Sequence, residues 1–510
     1  MYIESLTLDN FRCFRAGRLD LWHPGRTGLP DLDTPPRLAN VNVLLGLNGS
    51  GKSSALRAIA LAILAPVIAS SGYAPFSLIR RAPRVTTARV SAALTLHAQD
   101  GAQVDTDEGL LAVTEITRRG SIEIIRGIGT ESGVWEGVFH DESPAFFLVG
   151  YGATRRVEVG ATIADLQSAR KARQLRYQRV ASLFEDHFAL TPLTVWLPML
   201  RTTNPGRYRQ VLTLINRLLP KAISFQGKIA EGDYLFRHRG IDVPFAAVSD
   251  GYKAYIGWIG DLLNQLVLGC PSGKKLTASQ GVVLVDEIDL HIHPNWQLEI
   301  VPQIARALPN IQFVFTTHSP IIVGSLEHAN IYTMSEHGRT DTAIERLSGE
   351  VFGLNADQVL RSSAFGLEFS RAPRFVKELQ VLSARATRGE PEAAIELMRA
   401  VALGQAPVGP EVEPTPAWLL PPAHGRANRK PPAQPKASRA AQPRTGPAAN
   451  PKPEPAAKAK KLATKSKRQA AQSKTEQAAQ SKANQAAQSK AKPPAKRPAK
   501  SGPGRSRARK

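Results

Sequence analysis

The segment Gly46-Leu47-Asn48-Gly49-Ser50-Gly51-Lys52-Ser53 decides the fold. It follows the pattern of a P-loop: a glycine, four residues, then Gly-Lys-Ser. The glycines let backbone N–H groups turn inward around phosphate groups, at the positive end of the following helix. Lys52 would reach the β- and γ-phosphates of a nucleotide, and the Ser53 hydroxyl would ligate Mg²⁺. A glycine-rich turn without a ligand is the alternative, and the flanking sequence decides against it.

The residues on either side of this loop have the character that a P-loop requires. Residues 41–45 are a short apolar run that ends at Gly46, as expected of a central strand that enters a tight loop. After Lys52, apolar residues recur at helical spacing, at Leu56, Ile59, Ala60 and Ile63. This helix is expected to end near Pro66, because proline removes a backbone donor and clashes with the preceding turn.

A second apolar run, Val282-Val283-Leu284-Val285, ends in the acidic pair Asp286 and Glu287. Carboxylates at the end of a buried strand are costly unless a cation meets them. The run has the form of a Walker B strand, so Asp286 is expected to hold Mg²⁺ opposite Ser53. Glu287 is then expected where a water must be aligned for attack on the γ-phosphate. A strand that ends in solvated acids is the alternative.

Two further segments complete the pattern. Thr316-Thr317-His318-Ser319 ends the next apolar run, and His318 is placed to hydrogen-bond a γ-phosphate, although alone it could be a polar cap. Ser249 and Gly251 precede a helix-compatible sequence at 252–268 and offer another helix N-terminus for an anion. Taken alone, this pair favours a plain N-cap. The order of the four segments is therefore the stronger signal.

This order resembles the RecF/SMC-like ABC-type ATPases, and more narrowly the bacterial "AAA family" ATPases of the defence and overcoming-lysogenization type. The further matching segments are Asn10-Phe11-Arg12-Cys13-Phe14, Gly150-Tyr151-Gly152-Ala153-Thr154-Arg155, Val195-Trp196-Leu197, Val248-Ser249-Asp250-Gly251-Tyr252, 286–294 and 311–320. The resemblance covers roughly residues 1–400 and not the tail. It implies an α/β fold: an ABC-type P-loop NTPase with a mixed or parallel central sheet, an antiparallel β subdomain and a helical insert.

The resemblance also implies a role for each matching residue. The nucleotide-binding residues would be Gly46, Asn48, Gly49, Ser50, Gly51, Lys52, Ser53 and Ser54, with Arg12 near the base or ribose of ATP. Ser53 and Asp286 would hold Mg²⁺, Glu287 would activate water, and His318 would act as the switch. Ser249 and Gly251 would bind the nucleotide of the opposite subunit, and Asp289 would be the D-loop aspartate at the dimer seam. Two composite sites would then form in a head-to-tail homodimer.

Some positions stay open at this stage. The Q-loop glutamine of the family is not identifiable, and the candidates are Gln167, Gln174 and Gln178, with the stretch after Gly152 favoured. Val248 stands where the family signature usually has leucine. His291, His293 and His318 invite a metal-site interpretation, but a loop typical of the family explains the His-x-His pair better. Arg155 and Arg156 are candidates for a phosphate or nucleic-acid contact or, equally, for a solvated loop.

The segment between Lys52 and Ser249 is longer than in most transporter subunits. Prolines interrupt it and it has no sustained heptads, so a long coiled coil is excluded. We predict an ATPase domain over 1–345, with a β-rich and helical insert at about 73–245. Strands are expected within 86–150 and 223–248, and helices over 163–184 and 206–219. A small helical region is expected over 346–404, and no acidic cluster after His318 indicates an appended Toprim nuclease.

The charge lies almost wholly in the tail. Residues 421–510 contain 24 lysines and arginines against Glu454 and Glu476, whereas the whole chain carries +23, so residues 1–420 are close to neutral. Pro, Ala, Lys, Gln and Ser dominate from about residue 405, with too few apolar residues to offset the entropy of ordering. We therefore predict a disordered basic tail over 405–510. Its natural partner would be DNA or RNA.

Composition also narrows the setting of the protein. Cys13 and Cys270 are far apart and fit a reducing compartment without disulfides. No signal-peptide pattern and no apolar run long enough for a bilayer is expected, so the sequence predicts a cytoplasmic protein, with nucleoid association open and no membrane partner. Three functions remain: an ATPase associated with nucleic acid in defence or repair, an ATPase that regulates a separate effector such as a nuclease, and, least favoured, a transporter subunit.

Overall fold

The computed structural model describes residues 1–97, 110–129, 147–157, 175–230, 233–270, 273–337 and 341–403. All of them belong to one unit of the chain, Met1–Pro410. The basic tail lies outside the described residues, as do most of the predicted helix over 163–184 and the candidates Gln167 and Gln174.

The described strands and helices follow the chain in this order. The strands are β1 Tyr2–Phe11, β2 Phe14–Asp20, β3 Val41–Gly46, β4 Thr87–Thr95, β5 Leu110–Arg119, β6 Ile122–Ile128, β7 Leu148–Tyr151, β8 Arg156–Val157, β9 Ala189–Leu190, β10 Ile223–Ala230, β11 Asp233–His238, β12 Ile241–Pro244, β13 Gly281–Val285, β14 Ile311–Thr317, β15 Ile331–His337 and β16 Asp341–Arg346. The helices are α1 Lys52–Ser70, α2 Leu175–Val180, α3 Leu193–Thr203, α4 Pro205–Leu218, α5 Asp250–Gly269, α6 Pro294–Ala307, α7 Pro320–Gly324, α8 Ala356–Arg361, α9 Pro373–Thr387 and α10 Pro391–Leu403.

The central sheet has six strands in the order β16-β15-β3-β14-β13-β7. All neighbours are parallel except β15 and β16, so the sheet is mixed. Strands β7, β13 and β14 are buried along their whole length, as strands covered on both faces must be. The predicted central sheet is thereby confirmed. The carboxyl ends of β3, β14, β13 and β7 meet at one edge, where the loops after them lie side by side.

A five-stranded antiparallel sheet, in the order β2-β1-β4-β5-β6, packs against the central sheet through α1. Gln312, fully buried on β14, joins the two sheets directly. Its side-chain oxygen accepts from the amide of Ile3 on β1 at 2.8 Å, and its nitrogen donates to the carbonyls of Ile3 and Trp22 at 2.8 and 2.9 Å. A buried amide group is tolerated here because its hydrogen-bonding capacity is used.

The helix after the P-loop does not end near Pro66, as predicted, but continues to Ser70. The helix is broken at Leu64, whose φ of −112° and ψ of 24° are not helical. Pro66 cannot donate to the carbonyl of Ala62, and the Thr114 hydroxyl on β5 bonds the carbonyls of Leu61 and Ala62 instead, at 2.9 and 3.5 Å. Hydrogen bonds from Thr114 on β5 therefore stabilise the helix near its proline, and the helix continues to Ser70.

By length and composition α1 could also cross a membrane, contrary to the expectation that no such run exists. However, 72% of its most apolar window is buried inside the fold. Its apolar character is explained by the two sheets on either side of it, because a helix that is hydrophobic all round needs cover on all sides.

The remaining elements extend this core. The hairpin-prone segment at 223–248 forms a three-stranded antiparallel sheet, β10-β11-β12, and the helix predicted over 206–219 is α4. Asn204 caps α4 by accepting from the amide of Arg207, and Pro205 occupies the first turn. In the region predicted to be helical over 346–404, residues 347–355 are not helical, and α8, α9 and α10 follow them.

Candidate functional site at the carboxyl edge of the central sheet

The loop between β3 and α1 has the backbone conformation that its glycines permit. Gly49 and Gly51 have φ of 86° and 98°, the left-handed region that residues with a Cβ rarely adopt. A Cβ at Gly51 would lie 2.5 Å from Cys13 Sγ, and a Cβ at Gly46 would lie 2.5 Å from the carbonyl oxygen of Met334. The sequence of the loop is therefore fixed by its shape and by its close neighbours.

This loop forms one wall of a cleft of about 680 Å³. Nine of the residues predicted to serve the nucleotide line it: Arg12, Asn48, Gly49, Gly51, Lys52, Ser53, Ser54, Glu287 and His318. Cys13, Arg57, Ser77, Ile79 and Arg81 complete the lining. Gly46 and Ser50 belong to the loop without lining the cleft, and Asp286 and Asp289 lie behind it. The structure thus assembles around one cavity residues that are up to three hundred positions apart.

Lys52 and Ser50 show that the loop is suited to an anion. The Lys52 ammonium donates to the carbonyls of Gly46 and Leu47 at 2.9 and 3.0 Å. Burial lowers the pKa of Lys52, against the opposing effect of Asp286, Glu287 and Asp289. The buried Ser50 Oγ has no hydrogen-bond partner within the described part of the chain. A buried hydroxyl without a partner is unusual in a folded protein, although Ser50 itself does not line the cleft.

Thr316 fixes the two acids after β13. Its hydroxyl donates to Asp286 Oδ1 at 2.6 Å and accepts from the amide of Glu287 at 2.7 Å. Asp286 is 6% exposed, whereas Glu287 is partly exposed and has a left-handed φ of 47°. The sharp turn lets the buried strand end in one acid that stays in the core and another that reaches the cleft. The alternative of two solvated acids does not hold, because Asp286 is buried.

Asp289 and His318 are joined through the next loop. Asp289 Oδ1 accepts from the Thr317 hydroxyl at 2.6 Å and from the amide of His318 at 3.4 Å. Burial and the charge of Lys52 lower the pKa of His318, although the three nearby carboxylates oppose this, so its imidazole is neutral at pH 7. A neutral imidazole can donate one hydrogen bond to a phosphate oxygen without a prior proton exchange.

Ser249 and Gly251 do not lie in the P-loop cleft. They line a second cavity, of about 540 Å³, at the N-terminus of α5, together with Arg239, His291 and His293. Ser249 occupies the N-cap position, but its exposed side chain makes no capping hydrogen bond to α5, so the plain N-cap does not account for it. A Cβ on Gly251 would lie 2.5 Å from the carbonyl oxygen of His291. The two cavities share no lining residue.

The three histidines that were candidates for a metal site line two different cavities. His318 lines the P-loop cleft, whereas His291 and His293 line the second cavity. His293 Nδ1 accepts from the amide of Asn295 and caps α6. Over the described ranges no group of three or more His, Cys, Asp or Glu side chains could hold a metal ion. Mg²⁺ is instead bound by few protein ligands, with phosphate oxygens and water completing its coordination. Ser53 and Asp286 suit a site of this kind.

The cationic side of the cleft consists of arginines. The Arg12 guanidinium donates weakly to Ser54 Oγ at 3.4 Å, and its buried Nε has no partner among the residues the structure describes. Burial and the neighbouring Arg57 lower the pKa of Arg12. Arg57 is held by the carbonyl of Leu183, and Arg81 by the Ser77 hydroxyl. A triphosphate would neutralise these cations, so the residues present fit ATP with Mg²⁺.

Sequence reasoning missed two features of the site. The first is the pair Thr316 and Thr317, whose hydroxyls bind the carboxylates of Asp286 and Asp289 and the amide of Glu287 in the loop after β13. The second is Arg155, for which the sequence left open a phosphate or nucleic-acid contact or a solvated loop, but which is 7% exposed and donates to the carbonyl of Glu287. Arg156 beside it is exposed. Of the Q-loop candidates within the described residues, Gln178 is buried on α2. The acidic residues at 286, 287 and 289 were the sequence signal for the burial of Arg155, because a buried arginine needs carboxylates or carbonyls as partners.

The fold and the site can now be compared with known proteins. Residues 149–324 match the family described as "AAA domain, putative AbiEii toxin, Type IV TA system", and residues 5–123 match a family described as "AAA domain". The two matches together span more than half of the chain. The second includes the loop at 46–53, and the first includes β13 with Asp286 and Glu287, and also His318.

Three curated relatives are similar over parts of their length. The Septu protein PtuA of Bacillus mycoides (strain KBAB4) is 24% identical over 366 residues, which are 72% of this chain and 45% of that protein. The Retron Ec83 probable ATPase of Escherichia coli is 29% identical over 35% of this chain and 34% of that protein. The Retron Vc95 probable ATPase of Vibrio cholerae serotype O1 biovar El Tor is 36% identical over 24% of this chain and 23% of that protein. The chain spans less than half the length of these relatives.

Solved structures of SMC heads are also similar. The SMC head domain from Thermotoga maritima aligns with a TM-score of 0.39 and 16% identity, over 68% of this chain and 100% of that chain. An SmcHead bound to the C-winged helix domain of ScpA aligns with a TM-score of 0.42 and 16% identity, over 68% and 97%. The P-loop cleft, the ordered acidic loop and the two AAA-domain matches together show that the chain contains a P-loop ATPase domain of the AAA kind.

Proposed function

We propose that two copies of this chain, arranged head to tail, hydrolyse ATP at composite sites. The observation that carries the proposal is the separation of the two cavities. The P-loop cleft holds the cations and acids for a triphosphate, whereas Ser249 and Gly251 line a different cavity with an unused hydroxyl at a helix N-terminus. One chain therefore offers two incomplete halves, and a second copy would complete each.

Each residue of the cleft has a distinct part in this reaction. Lys52 would exchange its contacts with the loop carbonyls for phosphate oxygens. Ser53 and Asp286 would hold Mg²⁺, which neutralises charge on the phosphates when it is bound. Glu287 would orient a water and take its proton, and the neutral His318 would donate to the γ-phosphate. Thr316 would hold Asp286 and Glu287 at a fixed separation.

The first experiment tests assembly and turnover together. Glu287→Gln keeps the size of the side chain but removes the base, so hydrolysis should fall by about two orders of magnitude or more while ATP still binds. Sedimentation of this variant with ATP and Mg²⁺ should show a dimer. Adding Ser249→Arg should return it to a monomer, whereas adding Ser335→Arg, at an exposed serine that lines neither cavity, should not. A mass that ignores both ATP and position 249 would refute the composite site.

We further propose that the assembled ATPase acts on nucleic acid in defence. The relatives belong to Septu and retron systems, which favours defence over repair. The tail over 421–510 has 24 basic residues and two acidic residues, Glu454 and Glu476, and so a net charge of +22. Its natural partner is a polyanion, because each neutralised phosphate releases counterions.

Filter binding of DNA across a salt series tests this part. Six to ten phosphate contacts weaken affinity by about three to five orders of magnitude between 50 and 200 mM salt. Removing residues 421–510 should cut DNA binding and flatten the salt dependence, with ATPase activity intact. A full-length variant with its tail lysines and arginines changed to glutamine separates charge from length. If affinity and slope are equal in all three proteins, the tail does not hold DNA, and the chain is better described as an ATPase that regulates a separate effector, such as a nuclease.

A further inference from the structure

The catalytic glutamate adopts a backbone conformation that it would not choose alone. Glu287 has a φ of 47°, in the left-handed region that disfavours residues with a Cβ. Such a conformation persists only where its surroundings hold it. The peptide groups on both sides of Glu287 must therefore have strong partners.

Those partners come from strand β14 and from the loop between β7 and β8. On the amide side, Thr316 Oγ1 on β14 accepts from Glu287 N at 2.7 Å. On the carbonyl side, Arg155 Nη2 donates to Glu287 O at 2.6 Å, a short contact for a guanidinium. Leu290 N also donates to this carbonyl, at 3.0 Å, and closes the turn.

Arg155 is well placed to act as a rigid support. It lies four residues after β7 and is 7% exposed, and its guanidinium carbon lies 5.8 Å from the centre of the Trp258 ring. Burial lowers the pKa of Arg155 to about 10, although the charges of Asp286, Asp289 and Glu287 oppose this, so the side chain is a cation at pH 7. Among the described residues no carboxylate contacts this buried cation directly, and the Glu287 carbonyl is the acceptor that it binds.

We propose that Arg155 is a positioning residue for hydrolysis, which holds the Glu287 backbone so that its carboxylate faces the attacking water. This inference rests on the proposed role of Glu287. Arg155 itself does not line the cleft. Its loss should therefore lower the rate of hydrolysis and leave the affinity for ATP unchanged.

The variant Arg155→Met keeps an unbranched apolar side chain at this buried position and removes the donor. Its kcat should fall at least tenfold, while KM and the directly measured Kd for ATP stay within about threefold. Arg155→Lys, which can still donate one hydrogen bond, should recover part of the lost kcat. Arg156→Met is the matched control, since the neighbouring arginine is exposed, and it should leave both constants unchanged.

A double-mutant cycle separates positioning from a general loss of structure. In single-turnover hydrolysis with radiolabelled ATP, adding Arg155→Met to Glu287→Gln should cost no further rate, because the residue that Arg155 supports is already gone. Losses that multiply would show that Arg155 acts elsewhere and would overturn the inference. A rise in KM or Kd equal to the fall in kcat would overturn it also.

The outcomes distinguish this inference from the proposal on which it rests. If Glu287→Gln hydrolyses at the wild-type rate, the catalytic role of Glu287 fails. If Glu287→Gln is inactive but Arg155→Met and Arg155→Lys turn over normally, only the role of Arg155 fails. Should Arg155→Met prove insoluble, Arg155→Lys carries the test, with a lowered kcat at unchanged KM as the supporting result and wild-type kcat as the refuting one.

Discussion

Replacing Thr316 by valine removes one hydroxyl from the centre of the site without changing its shape. Thr316 is fully buried, so the variant opens no cavity and exposes no new surface. Two hydrogen bonds are lost. The bond of 2.6 Å to the Asp286 carboxylate is of the kind that contributes about 1.5–3 kcal/mol, and the amide of Glu287 is left without its acceptor, which costs about 1–3 kcal/mol. Thr316→Val should therefore lower the free energy of unfolding by about 3–5 kcal/mol.

The same change should weaken catalysis more than binding. Asp286 and Glu287 lose their common anchor, so the Mg²⁺ concentration for half-maximal activity should rise and kcat should fall by about tenfold to a hundredfold. Urea denaturation measures the first effect, and ATPase assays across a Mg²⁺ titration measure the second. Thr316→Ser, which keeps the hydroxyl and loses only a methyl group, is the control. Stability and Mg²⁺ dependence equal to wild type in Thr316→Val would show that the hydroxyl organises neither acid.

The remaining predictions concern the phosphate loop and the core helix. Lys52→Ala should weaken ATP binding by about ten- to a hundredfold, since charged hydrogen bonds to phosphate are lost, and titration calorimetry that finds a change under twofold would contradict it. Thr114→Val should strand the carbonyls of Leu61 and Ala62 beside the break in α1 and lower the free energy of unfolding by about 1–2 kcal/mol, with unchanged kcat. Urea denaturation and ATPase assays of the same preparation measure both, and lost activity at full stability would contradict the structural role of Thr114.

The strands around the site could be predicted because their sequences leave little choice. Residues 281–285 and 311–315 have no polar alternation, so only a sheet covered on both faces suits them, and the structure places strands there with nearly the same bounds. The P-loop was predictable for a similar reason, since glycines at 49 and 51 are required where φ is positive. The local sequence therefore determines these two strands and the P-loop.

The other features of the fold and the site depend on contacts with residues that are distant in the sequence. The continuation of α1 past Pro66 requires Thr114, which no local pattern connects to it. The strand β5 alternates too weakly for its bounds to be predicted, and its neighbour β4 supplies the register. Arg155 looked like any arginine in a loop, because its burial is decided by α5 and by the turn at Glu287. Only the resemblance implied that Ser249 lies apart from the P-loop of its own chain, because distances between residues cannot be read from a single sequence.

The apolar helix α1 has a consequence for how the protein is made. Fourteen of its 19 residues are buried, and the core that covers them includes Val282, Leu284 and Val314. A ribosome adds about 5–20 residues per second, so those strands emerge roughly 10–50 s after the helix. During that interval the antiparallel sheet, whose last strand in sequence ends at Ile128, can cover one side of α1, but the side that contacts β7 and β14 stays exposed. Until β14 has been synthesised, that side of α1 is an aggregation-prone apolar surface on the nascent chain.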